Sequence, residues 1–185
     1  ERINAMEFKY SAKEIVEDFN SLPRRAQELI FEHIAEKQEN VNSIFTIPYL
    51  KHPECRSPIE QIFWLAFSIY ECEANLSNYC VWLEPQYEIM CGKKKYVVDF
   101  LVMLEDFTSE EPNLETIVIE CDGHEFHERT KEQVRRDNER QLSLKMNGYD
   151  VVRLSGSQIY NDPMGCAEKI YRYIVVKWKK GNEML

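Results

Sequence analysis

Several familiar patterns are missing from this sequence. It has no apolar run of the ~20 residues that cross a bilayer, and it contains no internal repeat or low-complexity segment. Its first residues lack the basic and then apolar pattern of a secretory signal. Glycine and proline are scarce, with 6 and 7 residues in a chain of 185, and no linker divides the chain. We therefore expect one globular domain with its own hydrophobic core.

Cysteine motifs are also absent, although the chain has six cysteines. No two of them form a CxxC pair, so the sequence indicates neither a zinc knuckle nor a thioredoxin-like redox motif. Several lie in apolar runs, where cysteine acts as a small buried hydrophobe. Together with the missing secretion signal, this predicts reduced thiols in a cytoplasmic protein.

Basic residues are outnumbered. Lys and Arg number 23 against 32 Asp and Glu, which gives a net charge of −9. Affinity for nucleic-acid phosphates depends largely on Lys and Arg, but the overall charge does not decide the charge of a local surface. An acidic protein that never contacts DNA therefore stays open beside a protein with a local basic surface.

Hydrophobic periodicity and capping signals predict an α/β protein. Two short helices are predicted before residue 57, beginning at Ser11 and at Ser21. The apolar side of the second is expected to hold Leu29, Ile30, Phe31 and Ile34. The remaining predicted elements are a helix over 57–74, strands over 81–90, 96–104 and 116–121, a helix over 130–147, a strand over 149–154 and a helix over 163–178.

The order of these elements indicates how the sheet is connected. Residues 91–95 read as the turn of a hairpin. The helix over 130–147, at about 17 residues, is long enough to bring the fourth strand parallel to the third. The predicted fold is a mixed α/β sandwich in one compact domain, with an N-terminal helical extension over 1–56 packed on a core over 57–180.

Three acidic residues stand out against their apolar surroundings. Asp99 lies inside the almost wholly apolar strand 96–104, where an unpaired carboxylate would cost several kcal/mol. Glu120 and Asp122 lie two residues apart on the next strand, so they point the same way, while Cys121 points the other way. If the two strands pair, three carboxylates meet at one edge of the sheet and raise each other's pKa unless a cation joins them. Such hard oxygen ligands suit Mg²⁺ or Mn²⁺.

Each acid also has a plainer interpretation. Asp99 could be a salt-bridged acid of the core, and Glu120 and Asp122 could be solvated acids at a strand end. The three together, on neighbouring apolar strands, favour a site.

The order of motifs resembles the restriction-endonuclease-like, PD-(D/E)XK nucleases, and within them the branch of the very-short-patch-repair endonucleases. The resemblance covers roughly residues 57–175. It is carried by SPIE at 57–60, VDF at 98–100, VIECDGHEFH at 118–127, RD at 136–137, Leu142, NGY at 147–149 and VVRL at 151–154.

The resemblance implies a three-layer sandwich around a mixed central sheet, with an α-β-β-β-α-β-α core and extra N-terminal helices. It implies hydrolysis of DNA phosphodiester bonds with Mg²⁺, for which Mn²⁺ would substitute. Asp99 and Glu120 would be direct metal ligands, and Glu60 would be a supporting acid from the preceding helix. Glu60 also sits where a capping box needs a glutamate, and the two roles are compatible.

The sequence departs from the resemblance at one position. Asp122 stands where many members carry a lysine, which would orient water and offset charge. His124 or His127 would then supply the missing acid/base function, since the pKa of histidine lies near 6.5. Lys131 is a less favoured donor.

Candidate contacts to nucleic acid are few. Lys131, Arg135 and Arg136 lie in the polar first half of the helix over 130–147, and Lys94 lies in the hairpin turn. Arg136 matches the resemblance and is expected to brace the site, whereas two of the three arginines 135, 136 and 140 are expected to be solvated. The partners implied are DNA, a second copy of the chain in a homodimer, and a protein partner through the N-terminal helices.

Three hypotheses stay open. The first is a Mg²⁺-dependent DNA endonuclease in DNA repair or in restriction and defence. The second is a nuclease-fold protein that has lost catalysis and serves as a nucleic-acid-binding or assembly module. The third is an unrelated α/β protein whose acids are salt-bridged to arginines. Binding of a divalent metal separates the third from the others, and turnover separates the first from the second.

Overall fold

Six helices and four strands lie within the residues that the computed structural model describes, which are 12–36, 51–74, 79–106, 113–122 and 130–182. In chain order the elements are α1 (Ala12–Ser21), α2 (Arg24–Glu36), α3 (Pro58–Ala74), β1 (Tyr79–Cys91), β2 (Lys94–Asp106), β3 (Asn113–Asp122), α4 (Lys131–Met146), β4 (Asp150–Ser155), α5 (Gly156–Asn161) and α6 (Pro163–Asn182). The predicted order of elements is confirmed, with α5 as an addition. None of the helices in these ranges is both long and apolar enough to cross a membrane.

The four strands form one mixed sheet in the order β1-β2-β3-β4. The β1–β2 and β2–β3 pairs are antiparallel, and β4 runs parallel to β3 from Ile117↔Asp150 to Asp122↔Ser155. The prediction of a hairpin joined to a parallel crossover is therefore confirmed. Because β3 and β4 are parallel, their carboxyl ends, at Asp122 and Ser155, meet at the same edge of the sheet.

The β1–β2 hairpin is longer than predicted. Its register continues to Cys91↔Lys94, so the turn holds only Gly92 and Lys93. Gly92 has a φ of 62°, which glycine adopts without strain. The predicted turn over 91–95 is too wide because Lys94 and Lys95 pair in the ladder.

Capping boxes open both helices that flank β4. The Thr130 side chain accepts a hydrogen bond from the backbone of Gln133, and the Gln133 side chain accepts one from the backbone of Thr130, as the sequence predicts for α4. The same reciprocal pair forms between Ser155 and Gln158 at the start of α5. This second box follows the same spacing, and sequence reasoning missed it.

The helices cover the two faces of the sheet unequally. The larger hydrophobic cluster joins side chains of α2, α3 and α6 to one face, and the smaller cluster includes Leu144 of α4 on the other. Leu29 and Ile30 of α2 are buried in the larger cluster. Phe31 is 60% exposed, so its predicted burial is wrong, and the Ile34 side chain lies outside the described residues.

The alternation of side chains between the two faces of the sheet shifts in both strands of the hairpin, at the point where Gln86 lies opposite Asp99. Side chains two residues apart normally share a face of a strand. On β2, however, Phe100, Val102 and Leu104 join the larger cluster while Tyr96 and Val98 join the smaller one. On β1, Val81 and Leu83 join the larger cluster while Ile89 and Cys91 join the smaller one.

Backbone geometry accompanies this change of face. Pro85 pairs with Phe100 and Tyr87 with Val98, but the pairing is interrupted between them. Gln86 there has a φ of 52°, the one positive φ of a non-glycine residue in the part of the chain that the structure describes. Asp99 therefore lies at a break in the ladder, where its carboxylate is not confined to the packing of either cluster.

Candidate active site

Asp99 marks the point where β2 separates from β3. The last pair of the ladder is Phe100↔Ile119. One step further, the Asp99 carboxylate takes the place of a backbone acceptor, and its Oδ2 accepts a hydrogen bond from the Cys121 N–H at 2.7 Å. The side chain is thus fixed at the edge of the sheet by a backbone donor of the neighbouring strand.

The electrostatic surroundings of Asp99 are unusual for a carboxylate. Burial raises its pKa to about 6, against the lowering effect of the Cys121 N–H. The negative charges of Glu120 and Glu60 raise the pKa further, whereas Arg140 lowers it. Three carboxylates from three elements therefore lie within electrostatic reach of one another.

Glu60 is held from two sides in the first turn of α3. The Ser57 Oγ accepts a hydrogen bond from the Glu60 N–H at 3.2 Å, which is the first half of the predicted capping box. The Glu60 carboxylate does not complete the box. Its Oε2 accepts instead from the Arg56 N–H at 2.8 Å and from the Gln86 Nε2 at 2.9 Å. Glu60 therefore belongs to the cap of α3 through its backbone, while its carboxylate lies near Asp99.

Glu120 forms an ion pair with an arginine of the crossover helix. Arg140 donates from Nη1 to Glu120 Oε2 and from Nη2 to Glu120 Oε1, both at 2.7 Å. Arg140 Nη2 also donates to the Val97 carbonyl oxygen at 2.6 Å. Arg136, which the sequence favoured as the brace, is exposed and lies 3.6 Å from Glu132 on its own helix. The sequence held a signal for the correct arginine. The apolar Leu144 lies four residues after Arg140 on the same helix face, and in the structure it is buried.

Asp122 has a different partner. It points to the same side of β3 as Glu120, as strand alternation predicts, but its Oδ2 lies 3.8 Å from Arg153 Nη1 on β4. Arg153 also donates to the Gln141 side-chain oxygen, from Nε at 2.6 Å and from Nη2 at 3.0 Å, in the amide orientation that satisfies both groups. The structure thus brings Glu60 and Glu120 near Asp99 and sets Asp122 beside an arginine.

The fit of a divalent metal ion follows from these contacts. Within the described ranges, no three His, Cys, Asp or Glu side chains are placed to hold a metal ion. The chemistry of Asp99, Glu60 and Glu120 suits Mg²⁺ or Mn²⁺, because all three offer carboxylate oxygens. Both oxygens of Glu120, however, already accept from Arg140. The three carboxylates thus fit a cation by their chemistry, but at Glu120 the cation would compete with the guanidinium of Arg140.

The other predicted site residues divide into two groups. His124 and His127 lie outside the described residues. Lys131, Arg135 and Arg136 are exposed on the first half of α4, and Lys94 is exposed at the start of β2. Arg135 pairs with Glu132 at 2.9 Å and with Glu139 at 3.2 Å, which is the solvated arrangement that the sequence allowed for it.

A mixed sheet with a buried acid and a partly buried acid on neighbouring strands is compatible with the restriction-endonuclease-like class of nucleases. Comparison with family models identifies the family. Residues 76–174, more than half of the chain, match the family model REase_MTES_1575, a restriction endonuclease family, and the chain belongs to that family. Comparisons with curated proteins and with solved structures found no match.

The match confirms the resemblance at the level of restriction-endonuclease-like nucleases and includes Asp99, Glu120, Asp122 and Arg140. It begins after Glu60. The third hypothesis, an unrelated α/β protein, is wrong, although the salt bridge that it required does form between Glu120 and Arg140.

Proposed function

We propose that this chain is a metal-dependent DNA endonuclease that hydrolyses phosphodiester bonds with Mg²⁺, for which Mn²⁺ substitutes. Membership of a restriction endonuclease family supports the class of reaction. The observation that carries the proposal is the approach of Glu60 and Glu120 to Asp99, with a pKa of Asp99 raised to about 6. A buried set of like charges favours binding of a cation.

The proposed metal ligands are Asp99, Glu120 and Asp122, with Glu60 as a supporting acid. A bound divalent cation supplies a Lewis acid for a phosphate oxygen and lowers the pKa of a coordinated water. The chain's own contribution is to fix the carboxylates. The Cys121 N–H orients Asp99, and the Arg56 N–H and the Gln86 side chain orient Glu60. Ligands held in this way lose little freedom when the site forms.

Proton transfer is assigned to a histidine in the same proposal. His124 and His127 follow Asp122 within five residues, and they are two of the four histidines of the chain. A histidine near the site would protonate the leaving oxygen. Position 122 holds an aspartate, so no lysine at that position takes part in the proposed reaction. Because Asp122 lacks a positive charge, the balance of charge comes from Arg153 beside it.

DNA is the proposed substrate, and its backbone is the proposed partner of the exposed basic residues. Lys131, Arg135 and Arg136 line the exposed first half of α4, and Lys94 lies beside the hairpin turn. Such residues contact phosphates without reading sequence. The net charge of −9 makes a local basic surface the condition for binding, and we expect affinity to fall steeply with salt.

The proposal extends to the finer points of the resemblance. These are the three-layer sandwich, the very-short-patch-repair branch, a role in DNA repair or in restriction and defence, and a cytoplasmic location. A homodimer would bring two active sites to the two strands of a duplex. The helices α1 and α2 are the proposed surface for a protein partner.

Two observations favour a second candidate. The ion pair of Arg140 with Glu120 neutralises a proposed metal ligand, and an aspartate stands at position 122. A nuclease-fold module that binds nucleic acid without cleaving it would carry such a site. Turnover separates the two candidates.

The test uses supercoiled plasmid and a single-stranded oligonucleotide in Mg²⁺, Mn²⁺ or EDTA. The test variant is Asp99→Asn, whose amide oxygen still accepts from the Cys121 N–H. The matched control is Glu105→Gln, which changes another acid of β2. We expect metal-dependent cleavage by the wild type and by the control, and none by Asp99→Asn.

Two results would contradict the proposal. Cleavage that persists in Asp99→Asn means that the site lies elsewhere or that the activity is a contaminant. DNA binding by the wild type without cleavage of either substrate favours the non-catalytic module.

A further inference from the structure

Arg140 forms direct hydrogen bonds to residues of the candidate site. Both terminal nitrogens donate to Glu120, and one of them also donates to the Val97 carbonyl oxygen. The side chains are 22% exposed for Arg140 and 10% exposed for Glu120. A partly buried, bidentate pair of this kind is held far more firmly than an exposed one.

The guanidinium of Arg140 binds the Glu120 oxygens that a metal ion would coordinate. Mg²⁺ and Mn²⁺ bind carboxylate oxygens, and both oxygens of Glu120 already have a donor. The guanidinium stays protonated in proteins, so its charge cannot be removed to make room for the ion. A metal ion at Glu120 therefore competes with the Arg140 guanidinium for the same carboxylate.

We propose that Arg140 is the resident counter-ion of Glu120, that a divalent metal ion displaces it, and that this exchange sets the metal concentration at which the site fills. The inference rests on the proposed function, because it takes Glu120 as a metal ligand. In the metal-free protein, Arg140 holds Glu120 in place beside Asp99. Its positive charge offsets part of the repulsion between the two carboxylates.

The surroundings of Arg140 offer a second anion for the displaced guanidinium. Asp137 lies three residues earlier on α4, within electrostatic reach of Arg140. Residues three apart on a helix share a face, so the displaced side chain would approach Asp137 without movement of the helix. The displaced guanidinium would remain beside the site, where a phosphate of bound DNA is a further anion that it could bind.

The test is a calorimetric titration of the purified, full chain with Mn²⁺ and with Mg²⁺. Arg140→Met keeps the apolar stem of the side chain and removes its charge. We expect its apparent dissociation constant for Mn²⁺ to fall about tenfold or more, because the competent state is no longer a minor fraction. Arg140→Lys keeps the charge but loses the two-pronged contact, and we expect an affinity between those of the wild type and Arg140→Met.

Two further variants separate the possible failures. Arg172→Met removes the same charge from α6, where Arg172 pairs with Glu168 on the surface, and we expect unchanged metal affinity. Asp99→Asn tests the metal site itself, and we expect it to weaken metal binding.

Each outcome then has one meaning. Metal binding that depends on Asp99 but is no tighter in Arg140→Met overturns the exchange and leaves the proposed function standing. Absence of metal binding in both the wild type and Arg140→Met overturns the exchange and the metal-dependent function together. If Arg140→Met does not fold by circular dichroism, Arg140→Lys decides: affinity equal to that of the wild type overturns the exchange.

Discussion

The Gln86 side chain donates from Nε2 to Glu60 Oε2 at 2.9 Å, although its backbone adopts a φ of 52° to stand there. A left-handed conformation is uncommon for a residue other than glycine, asparagine or aspartate. Such strain persists where the surroundings hold it in place, and it concentrates at functional sites. Here the strained residue joins the edge strand to the first turn of α3, directly opposite Asp99.

Two substitutions at Gln86 separate its backbone strain from its hydrogen bond. Gln86→Gly and Gln86→Ala both remove the contact with Glu60, but only glycine also removes the strain. We expect the glycine variant to be more stable than the alanine variant by about 1 kcal/mol. Urea unfolding of both variants checks the difference, and equal stabilities would mean that position 86 carries no strain.

The pair of Arg140 and Glu120 should show strong coupling in stability. Removing one partner leaves the other charge buried, so Arg140→Met and Glu120→Gln are each expected to be destabilising, by about 3–5 kcal/mol for the arginine change. The double variant should recover much of that loss. Denaturant unfolding in EDTA measures the cycle.

The control for this cycle is Arg172→Met, which breaks a surface pair with Glu168. Exposed pairs contribute about 0–1 kcal/mol, so we expect little change. A cycle without coupling would show that the contact between Arg140 and Glu120 is not formed in solution.

The stability of the metal-free protein should depend on the charge of Asp99. Burial, reinforced by Glu120 and Glu60, raises its pKa from 3.8 to about 6. Between these two values the folded protein holds a proton that the unfolded chain has released, so the contribution of Asp99 to the free energy of unfolding falls as the pH rises. The penalty is fully present above pH 6 and disappears below the ordinary pKa of 3.8.

Asp99→Asn isolates this contribution because asparagine stays neutral. In EDTA at neutral pH, we expect the variant to be more stable than the wild type by about 1–3 kcal/mol. Near pH 4 the difference should close. Unfolding curves across the pH range measure it, and a constant difference would show that the pKa of Asp99 is not raised.

The thiols should differ sharply in reactivity. Burial, with Asp99, Glu60 and Glu120 nearby, raises the pKa of the Cys121 thiol far above its ordinary value. Burial likewise raises the pKa of Cys55 to about 12. Because the thiolate is the reactive form, alkylation of the native protein at pH 8 should label exposed Cys72 well before these two. Peptide mass spectrometry reads out the order, and full labelling after denaturation is the control.

Much of the fold was predictable because periodicity and capping are local properties. Hydrophobic periodicity and capping signals in the sequence predicted the order of elements. Strand alternation also placed Glu120 and Asp122 on one side of β3. The boundaries of the hairpin were missed because Lys94 and Lys95 are polar residues that pair in an edge region of the ladder.

The partners of the acids were harder to predict because they depend on contacts distant in sequence. Gln86 reaches Glu60 across 26 positions, and Arg140 reaches Glu120 across 20. The local sequence distinguishes Arg140 from Arg136 only by the apolar Leu144 one turn after Arg140, which the structure buries. The positive φ of Gln86 has no signal at all in a residue type that seldom adopts it.

The hydrogen bond from the Cys121 N–H to Asp99 gives the protein a built-in reporter. Most amides of a sheet are bonded to carbonyl oxygens, which do not titrate, whereas this one is bonded to a carboxylate whose pKa is raised to about 6. Its proton resonance in a nuclear magnetic resonance spectrum will therefore follow the ionisation of Asp99 as the pH changes. One backbone resonance thus reports the charge state of the site in the unmodified protein, without substrate and without a label on the side chain.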